Sequence, residues 1–307
     1  MTEKIDKIKI ENMNIPITMS LDNEYIYPTI VSITSILENA FKETKYTFFI
    51  LHSDNFTEIN KEKLKSFEKK YFKKCKFNFI NMKNKYIKLK KLKKIRKKKP
   101  PAAYYKLSLS ELLPEIDKII YLDGDTLTYI DLQELYNIDM TNYYYKGLLD
   151  NFPECVDHIT KNNDHCICVG VMLINLKELR KDNMTQIFDD FILKKRKQLI
   201  QYDQTVINAV SYEKIGILPA KYGIFNYKSK KKLFQKYKNI RFKNKYTDIE
   251  LENAYLNPGI LHMTYKPWIK KRQYKKKDWW KYAKKSDYYN EICENYPNNY
   301  PKKFCKH

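Results

Sequence analysis

Two aspartates separated by one glycine follow a short apolar run in the middle of the chain. The run covers residues 119–122 and leads into Asp123, Gly124 and Asp125. Such a run is typical of a strand buried on both faces of a parallel sheet. Carboxylates are costly to bury without a partner, and at the carboxyl end of a sheet strand the natural partner is a divalent cation that carries a phosphorylated ligand. Gly124 is expected to keep bulk away from that ligand and to allow backbone angles that other residues avoid. The alternative is an ordinary polar turn, since Asp-Gly is a common turn pair.

Further polar residues stand at the ends of other predicted elements. They are Asp150 after a strand, Asp203 and Gln204 at the start of a helix, and His262 and Lys266 at and after the last strand. Three of these positions have a structural alternative. Asp203 would serve as an ordinary N-cap, His262 as a satisfied core histidine, and residues 266–268 as a packing corner.

The elements that position these residues begin with a β-α-β-α-β order. Strands are predicted at 15–19, 48–51 and 77–80, with helices that open near Pro28 and Thr57 and with Phe41 on the inner face of the first helix. This order is typical of a nucleotide-binding α/β half. Neither a Gly-rich phosphate loop nor a Walker sequence is present, so phosphate must be held in another way. That requirement favours the metal interpretation of the two aspartates.

The second part of the chain continues the alternation. Helices are predicted at 102–113, 184–199 and 202–210, and strands at 147–150, 169–176, 215–218 and 260–263. The first of these helices carries Lys106. The tail, residues 269–307, alternates lysines with Trp279, Trp280 and several tyrosines.

The composition favours a partner that carries negative charge. Lys and Arg number 59 against 36 Asp and Glu, a formal net charge of +23, which suits nucleotides, nucleic acid or an acidic membrane surface. The segment 83–101 is rich in lysine and has no acidic residue. Its alternatives are a basic arm for nucleic acid or anionic lipid and a solvated loop.

The sequence also predicts the cellular location of the protein and the state of its cysteines. No apolar run is long enough for a membrane helix and the N-terminus has no signal-peptide core, so we expect a cytoplasmic protein, at most peripheral at the inner face of the membrane. The six cysteines are expected to be reduced thiols. A loose Cys/His group within 155–168 matches no common zinc pattern.

The blocks that hold these residues resemble, in their order, glycosyltransferase family 8. The blocks are AAYYKLSLSELLPEIDKIIYLDGDTL, GLLDNF, VGVMLINLKELR, YDQTVIN and LHMTYKPW, with a weaker match at SLDNEY. The family comprises retaining enzymes that include bacterial lipopolysaccharide glucosyl- and galactosyltransferases. The resemblance implies an α/β fold of the GT-A nucleotide-sugar-binding type, with a mostly parallel central sheet flanked by helices. It extends over about residues 14–270, and we predict a domain at 14–270 and a basic-aromatic extension at 271–307.

The resemblance also implies roles for particular residues. A metal that neutralises the diphosphate of a UDP-sugar would be held by Asp123, Asp125 and His262. Oxygen ligands with one imidazole suit Mn²⁺, with Mg²⁺ as the alternative. The donor-binding positions are matched by Asp22, Lys106, Asp123, Gly124 and Lys266, and the catalytic positions near the sugar by Asp150, Asp203 and Gln204. Lys106 stands where arginine is common, so a bidentate grip on the donor is lost.

One residue departs from the family pattern. Cys168 stands where the family usually has an asparagine that contacts the donor sugar, and a thiol cannot supply the hydrogen bonds of an amide. The departure predicts either an unusual donor sugar or weak activity.

The resulting hypothesis is a retaining hexosyltransferase that uses a UDP-sugar and a glycan or lipid-linked acceptor, in the synthesis of lipopolysaccharide or another surface polysaccharide. Its alternatives are a basic nucleic-acid-binding protein and a catalytically inactive relative of the family. The C-terminal extension and the lysine segment are candidates for peripheral contact with an anionic membrane. The alternative for the extension is that it packs on the domain.

Overall fold

The computed structural model describes residues 14–83, 101–150, 166–237, 245–270 and 273–299, which form two sheets and the helices around them. The strands are β1 (Asn14–Leu21), β2 (Lys45–His52), β3 (Cys75–Asn81), β4 (Lys118–Leu122), β5 (Thr126–Thr128), β6 (Tyr145–Leu149), β7 (Ile167–Asn175), β8 (Ile215–Ile217), β9 (Tyr222–Phe225) and β10 (Ile260–His262). The helices are α1 (Ile26–Glu38), α2 (Glu58–Lys70), α3 (Leu109–Leu112), α4 (Gln133–Tyr136), α5 (Leu176–Lys181), α6 (Met184–Lys195), α7 (Asp203–Val210), α8 (Lys230–Tyr237), α9 (Asp248–Leu256), α10 (Lys276–Lys285) and α11 (Tyr289–Asn295).

The larger sheet has seven strands in the order β3-β2-β1-β4-β7-β6-β8. The pairs β1/β2, β2/β3, β1/β4 and β6/β8 are parallel, whereas β7 runs antiparallel to both β4 and β6. The predicted mostly parallel α/β sheet is therefore confirmed, with β7 as a reversed strand. The apolar runs are buried as expected, because Ile119, Ile120 and Leu122 are each 0% exposed between neighbouring strands and the covering helices.

The predicted β-α-β-α-β order at the start of the sheet is confirmed. Thr57 caps α2, because its side chain accepts a hydrogen bond from the backbone N–H of Asn60. Pro28 lies in the first turn of α1, where the missing N–H costs nothing. The prediction for Phe41 is wrong, because α1 ends at Glu38 and the Phe41 side chain is 61% exposed.

The segment that carries Lys106 also differs from the prediction. We expected one α-helix at 102–113, but residues Pro101–Ser108 form a 3₁₀ helix and only Leu109–Leu112 are α-helical. Its side chains Tyr104, Tyr105 and Leu107 are buried in the part of the hydrophobic core that also contains Leu51 and Met82.

A small three-stranded sheet, in the order β5-β10-β9, was not predicted. Its middle strand β10 pairs antiparallel with β5, and His262 lies opposite Thr126 in that register. Because Thr126 directly follows Asp125, the pairing carries the imidazole to the aspartates across a long separation in sequence. The sheet thus joins the end of β4 to β10, the last strand among the residues that the structure describes.

The C-terminal helices α10 and α11 pack on helices α1 and α2. Trp279 and Trp280 are each 1% exposed, and Lys63 on α2 forms an ion pair with Glu291 on α11. For residues 273–299 the packing alternative is therefore the observed one, and the two tryptophans are not available to a membrane surface. The domain boundary near residue 270 stays a prediction.

Two predictions about bulk chemistry have partial outcomes. Among the described residues, no helix is both long enough and apolar enough to cross a bilayer. Cys75, Cys168 and Cys293 are free thiols, but Cys166 is disulfide-bonded, so the prediction of six thiols is wrong at that position. The lysine segment at 84–100 and the histidines and cysteine at 155–165 lie outside the described residues.

Candidate active site

A cavity of about 730 Å³ lies at the carboxyl ends of β1 and β4 and contains the sequence-predicted residues. In chain order these are Asp22, Lys106, Asp123, Gly124, Asp125, Asp150, Asp203, Gln204, His262 and Lys266. Ligands of open α/β sheets bind at this edge, because the strand ends and the loops after them converge there. The structure therefore brings together every residue that the sequence nominated.

His262 lies beside both aspartates of the central strand. Its Nε2 atom is 3.1 Å from Asp125 Oδ1 and 3.7 Å from Asp123 Oδ2. His262 is 5% exposed, and its ring stacks on the ring of Phe225 with 5.5 Å between the centroids. Burial alone would lower the pKa of His262, but the charge and hydrogen bond of Asp125 raise it well above its usual value. His262 is thus buried, but it is hydrogen-bonded to a carboxylate of the cavity and is not surrounded by apolar side chains alone.

These three side chains could hold a divalent cation. One ligand atom from each of Asp123, Asp125 and His262 lies within 4.8 Å of the others, the only such group of three among the residues that the structure describes. The donor set of carboxylate oxygens and one imidazole is that of Mn²⁺ or Mg²⁺ sites rather than of thiolate zinc sites. The residues present therefore fit the cation that the sequence implied.

Gly170 gives the three side chains their room. It lies on β7, and its carbonyl accepts a hydrogen bond from the backbone N–H of Asp123 at 2.8 Å. A Cβ atom at Gly170 would overlap the His262 ring and would lie 2.7 Å from Asp123 Oδ2. Any larger residue at position 170 would therefore push two of the candidate ligands away.

The prediction that Gly124 uses backbone angles that other residues avoid is wrong, whereas its clearance for a ligand stays a prediction. Its backbone does not adopt the left-handed conformation, so the expected freedom of its angles is not what the position uses. A Cβ atom there would instead overlap Oγ1 of Thr29 on α1. Glycine is needed because the loop after β4 passes very close to α1.

Lys106 is buried between two carboxylates. Its Nζ atom is 2.7 Å from Asp203 Oδ2, 3.9 Å from Asp123 Oδ1 and 3.3 Å from the Val169 carbonyl oxygen. Burial would lower the pKa of Lys106, but the nearby charges, with Asp203 first, raise it well above its usual value. The ammonium also lies 4.1 Å from the ring centroid of Tyr121.

The pairing with Lys106 excludes the N-cap alternative for Asp203. The N-cap of α7 is Tyr202, which makes no capping hydrogen bond through its side chain, and Asp203 is the first residue inside the helix. Its buried carboxylate faces the cavity instead. A negative charge in the first turn also suits the helix dipole.

Asp150, Gln204 and Lys236 form a second polar group in the cavity. Gln204 Nε2 donates to Asp150 Oδ2 at 3.0 Å, and Lys236 Nζ lies 3.4 Å from Asp150 Oδ1. The Asp150 side chain is 9% exposed. The ammonium of Lys236 also lies over the rings of Phe225 and Tyr227, at 5.3 and 5.8 Å from their centroids.

The remaining predicted positions line the cavity wall. Asp22 caps a short 3₁₀ helix by accepting from the Tyr25 backbone N–H. Lys266 has a positive φ of 34° and holds its ammonium 4.9 Å from the Tyr25 ring centroid. Cys168 lies with its sulfur 3.7 Å from His262 Nδ1, whereas the aspartates lie near Nε2 of the same ring.

Several residues of the site were not found from the sequence. Tyr121 donates its hydroxyl to Asp123 Oδ1 at 2.8 Å, although its strand reads as a plain apolar run. Phe225 and Tyr227 belong to or follow β9, a short strand with no pattern of its own. Lys236 is one of 59 basic residues, so its type gave no signal, and no helix was predicted around it.

Relatives with similar sequences are named as glycosyltransferases. A Haemophilus influenzae protein described as a glycosyltransferase is 31% identical over 220 residues, which is 68% of this chain and 62% of that protein. A lipopolysaccharide 1,2-glucosyltransferase of Escherichia coli is 28% identical over 229 residues, 69% of this chain and 63% of that protein. The matched part therefore spans about three fifths of the length of these relatives.

Solved structures share the fold at low sequence identity. The bifunctional glycosyltransferase WbbM superposes with a TM-score of 0.74 at 18% identity, covering 94% of this chain and 53% of that chain. The galactosyltransferase LgtC, solved in complex with donor and acceptor sugar analogues, superposes with a TM-score of 0.67 at 18% identity and covers 94% of this chain and 98% of that chain. The predicted GT-A fold is confirmed by these likenesses.

The family assignment rests on a match over most of the chain. The family model described as glycosyl transferase family 8 matches residues 16–270, close to the limits at which the sequence blocks suggested the resemblance. The match includes every residue of the cavity named above. The chain belongs to glycosyltransferase family 8.

Proposed function

We propose that this protein is a retaining hexosyltransferase that moves a sugar, glucose or galactose, from a UDP-sugar to a hydroxyl group of an acceptor. The observation that carries the proposal is the convergence of Asp123, Asp125 and His262 on one wall of a cavity that Lys106 and Lys266 also line. Carboxylates, an imidazole and two ammonium groups around one cavity suit a ligand with a diphosphate. Membership of family 8 supports a nucleotide sugar as that ligand.

The proposed cation is Mn²⁺, with Mg²⁺ as the alternative, and Asp123, Asp125 and His262 would hold it. When bound, it supplies Lewis-acid neutralisation of the diphosphate. Tyr121 and Gly170 support this group, since the first donates to Asp123 and the second leaves space for both flanking side chains. The buried position of His262 and Asp125 keeps water from competing for their polar atoms.

In the proposed reaction the bond between the anomeric carbon and the phosphate oxygen breaks, and its electron pair leaves with UDP. The hydroxyl oxygen of the acceptor forms the new bond to the same carbon, and its proton is released. We propose that Lys266 pairs with the departing phosphate and that Asp22 lies near the base of the donor. We propose that Gln204, Asp203 and Asp150 lie along the sugar, with Gln204 beneath its reacting face.

We propose a glycan or lipid-linked acceptor in the synthesis of lipopolysaccharide or another surface polysaccharide. The name of the Escherichia coli relative supports this class of acceptor. Peripheral contact with an anionic membrane at its inner face is part of the same proposal, and the charge of +23 supports it. A nucleic-acid-binding role is not favoured, because it gives no reason for six carboxylates around one cavity.

The deciding experiment is a screen of nucleotide sugars for release of UDP, with Mn²⁺, with Mg²⁺ and with a chelator. We expect release from UDP-glucose or UDP-galactose that depends on the cation and that falls by more than about 100-fold in Asp125→Asn and in His262→Ala. Circular dichroism of both variants checks that the fold is kept. Release from no nucleotide sugar would contradict the proposal and favour an inactive relative.

Retention is tested separately by NMR of the first product formed. We expect the anomeric proton of the product to show the same configuration as the donor. An inverted product would leave the transferase proposal standing but would remove retention from it.

A further inference from the structure

Helix α8 brings a lysine into the candidate active site. Lys236 is the penultimate residue of α8 (Lys230–Tyr237), and its side chain lines the cavity with 22% exposure. Its Nζ atom lies 3.4 Å from Asp150 Oδ1, and the Asp150 side chain is 9% exposed. An ion pair in which the carboxylate is nearly buried is screened less by solvent than one between two exposed side chains.

The second oxygen of Asp150 fixes the orientation of Gln204. Asp150 Oδ2 accepts a hydrogen bond from Gln204 Nε2 at 3.0 Å. An amide held through its nitrogen must direct its oxygen elsewhere, because the opposite orientation would set Oε1 against a carboxylate. The main chain on both sides is also held, since the Asp150 N–H donates to the Cys166 carbonyl oxygen at 2.7 Å and Asn208 Nδ2 donates to the Gln204 carbonyl oxygen at 2.8 Å.

We propose that Lys236 is a positioning residue that acts through Asp150 to orient the Gln204 amide with its oxygen toward the transferred sugar. The inference rests on the proposed function, because it gives Gln204 a reacting centre to face. Positive charge develops at the anomeric carbon as UDP leaves, and a fixed carbonyl dipole near that carbon lowers the energy of the transition state. Each step of the chain from ammonium to carboxylate to amide is a contact of 3.4 Å or less.

Removing the Lys236 ammonium should disturb this series of contacts at the first one, between Lys236 and Asp150. The Asp150 carboxylate would lose the cation at Oδ1, and a nearly buried carboxylate without that cation would turn or take up a proton. The Gln204 amide would then lose its fixed partner and could rotate. The expected result is a slower reaction with donor binding largely unchanged, because the diphosphate is held by other residues.

The test compares Lys236→Met, Lys236→Arg, Asp150→Asn and the Lys236→Met/Asp150→Asn double variant. Lys230→Met is the matched control, since Lys230 lies on the same helix but pairs with Glu252 outside the cavity. We expect Lys236→Met to lower kcat by about 10- to 100-fold with KM for the donor changed less than about threefold. Lys236→Arg should recover most of the rate, and Lys230→Met should match the wild type.

The double variant decides whether Lys236 acts through Asp150. If it does, Lys236→Met lowers kcat little further once Asp150 is already asparagine. Additive losses, a change confined to KM, or an unchanged rate in Lys236→Met would each overturn the proposal.

The wild type, Lys236→Met, Asp150→Asn and the double variant also give a readout that does not depend on turnover. A coupled ion pair makes the losses in the free energy of unfolding non-additive, whereas independent residues make them additive. Additive losses in the free energy of unfolding would show that Lys236 and Asp150 are not coupled and would overturn the proposal. A wild type that releases UDP from no nucleotide sugar, but shows the coupling, would overturn the proposed function while leaving the pair in place.

Discussion

At the scale of single residues, the site depends on small side chains at positions that lie close to His262. Gly170 and Cys168 both lie on β7 and both face His262, one against its ring carbon and the other against Nδ1. Neither position is a candidate ligand. Each nevertheless controls how the imidazole can lie, because the ring is buried between β7 and Phe225.

Gly170→Ala should weaken metal binding by about 10- to 100-fold, the range for residues that position metal ligands. The reason is the overlap of the new methyl group with His262 and its approach to 2.7 Å from Asp123 Oδ2. Isothermal titration calorimetry with Mn²⁺ measures the affinity of each variant for the metal. Gly216→Ala is the matched control, since its Cβ would meet the flexible Lys146 side chain at 2.8 Å, away from the cavity. Equal affinities in the two variants would contradict the argument.

Cys168→Asn should change how the sugar part of the donor is bound. The thiol is a weak hydrogen-bonding group, whereas an amide offers both donors and acceptors to a sugar hydroxyl. We expect the affinity for UDP-glucose or UDP-galactose to rise by about tenfold, the value of one hydrogen bond, while the affinity for UDP stays the same. Cys168→Ser serves as the comparison of similar size. A parallel change in both affinities would show that position 168 does not contact the sugar.

At the scale of elements, the C-terminal helices belong to the structural support of the site. Helix α10 buries Trp279 and Trp280 against α1 and its neighbours, and Trp279 lies 5.3 Å from Trp268 between ring centroids. Trp268 follows Lys266 in the turn after β10. The helix is therefore connected by direct packing to the segment that carries Lys266 and His262.

Trp279→Ala should lower the free energy of unfolding by about 3–5 kcal/mol, the usual cost of emptying a buried aromatic site. Chemical denaturation followed by circular dichroism measures the change. Lys281→Ala on the exposed side of α10 is the control and should change stability by less than about 0.5 kcal/mol. A small effect of Trp279→Ala would mean that α10 is not part of the cooperative fold.

At the scale of the whole molecule, strands from both halves of the chain meet at one cavity. Asp22 follows β1, Asp123 follows β4 and His262 ends β10, so a ligand bound there contacts segments that are far apart in sequence. Such a ligand binds the folded chain and not the unfolded one. Binding therefore adds to the stability of the entire fold.

UDP together with Mn²⁺ should raise the thermal midpoint of unfolding. At ligand concentrations near 100 times Kd the added stability is about 2.7 kcal/mol. Differential scanning fluorimetry measures the shift, and either UDP or Mn²⁺ alone should give less. In Asp125→Asn the shift from the pair should be lost. A shift of the same size in that variant would show that UDP binds without the three candidate ligands.

The sequence by itself determined the order of strands and helices in the first half of the chain and the identity of the polar residues at their ends. It could do so because buried runs, caps and turn residues are local signals, as at Thr57 and in the run before Asp123. The blocks around these residues also led to the family and to the GT-A fold.

The tertiary structure alone decided the contacts between residues distant in the chain. The reversal of β7, the second sheet that sets His262 against Asp125, and the arrival of Lys236 beside Asp150 all depend on pairing between segments with no local signal. The same holds for Gly124, whose space is taken by Thr29 of another element. The sequence determines the type of each side chain. Which side chains contact each other depends on how the fold brings distant segments together.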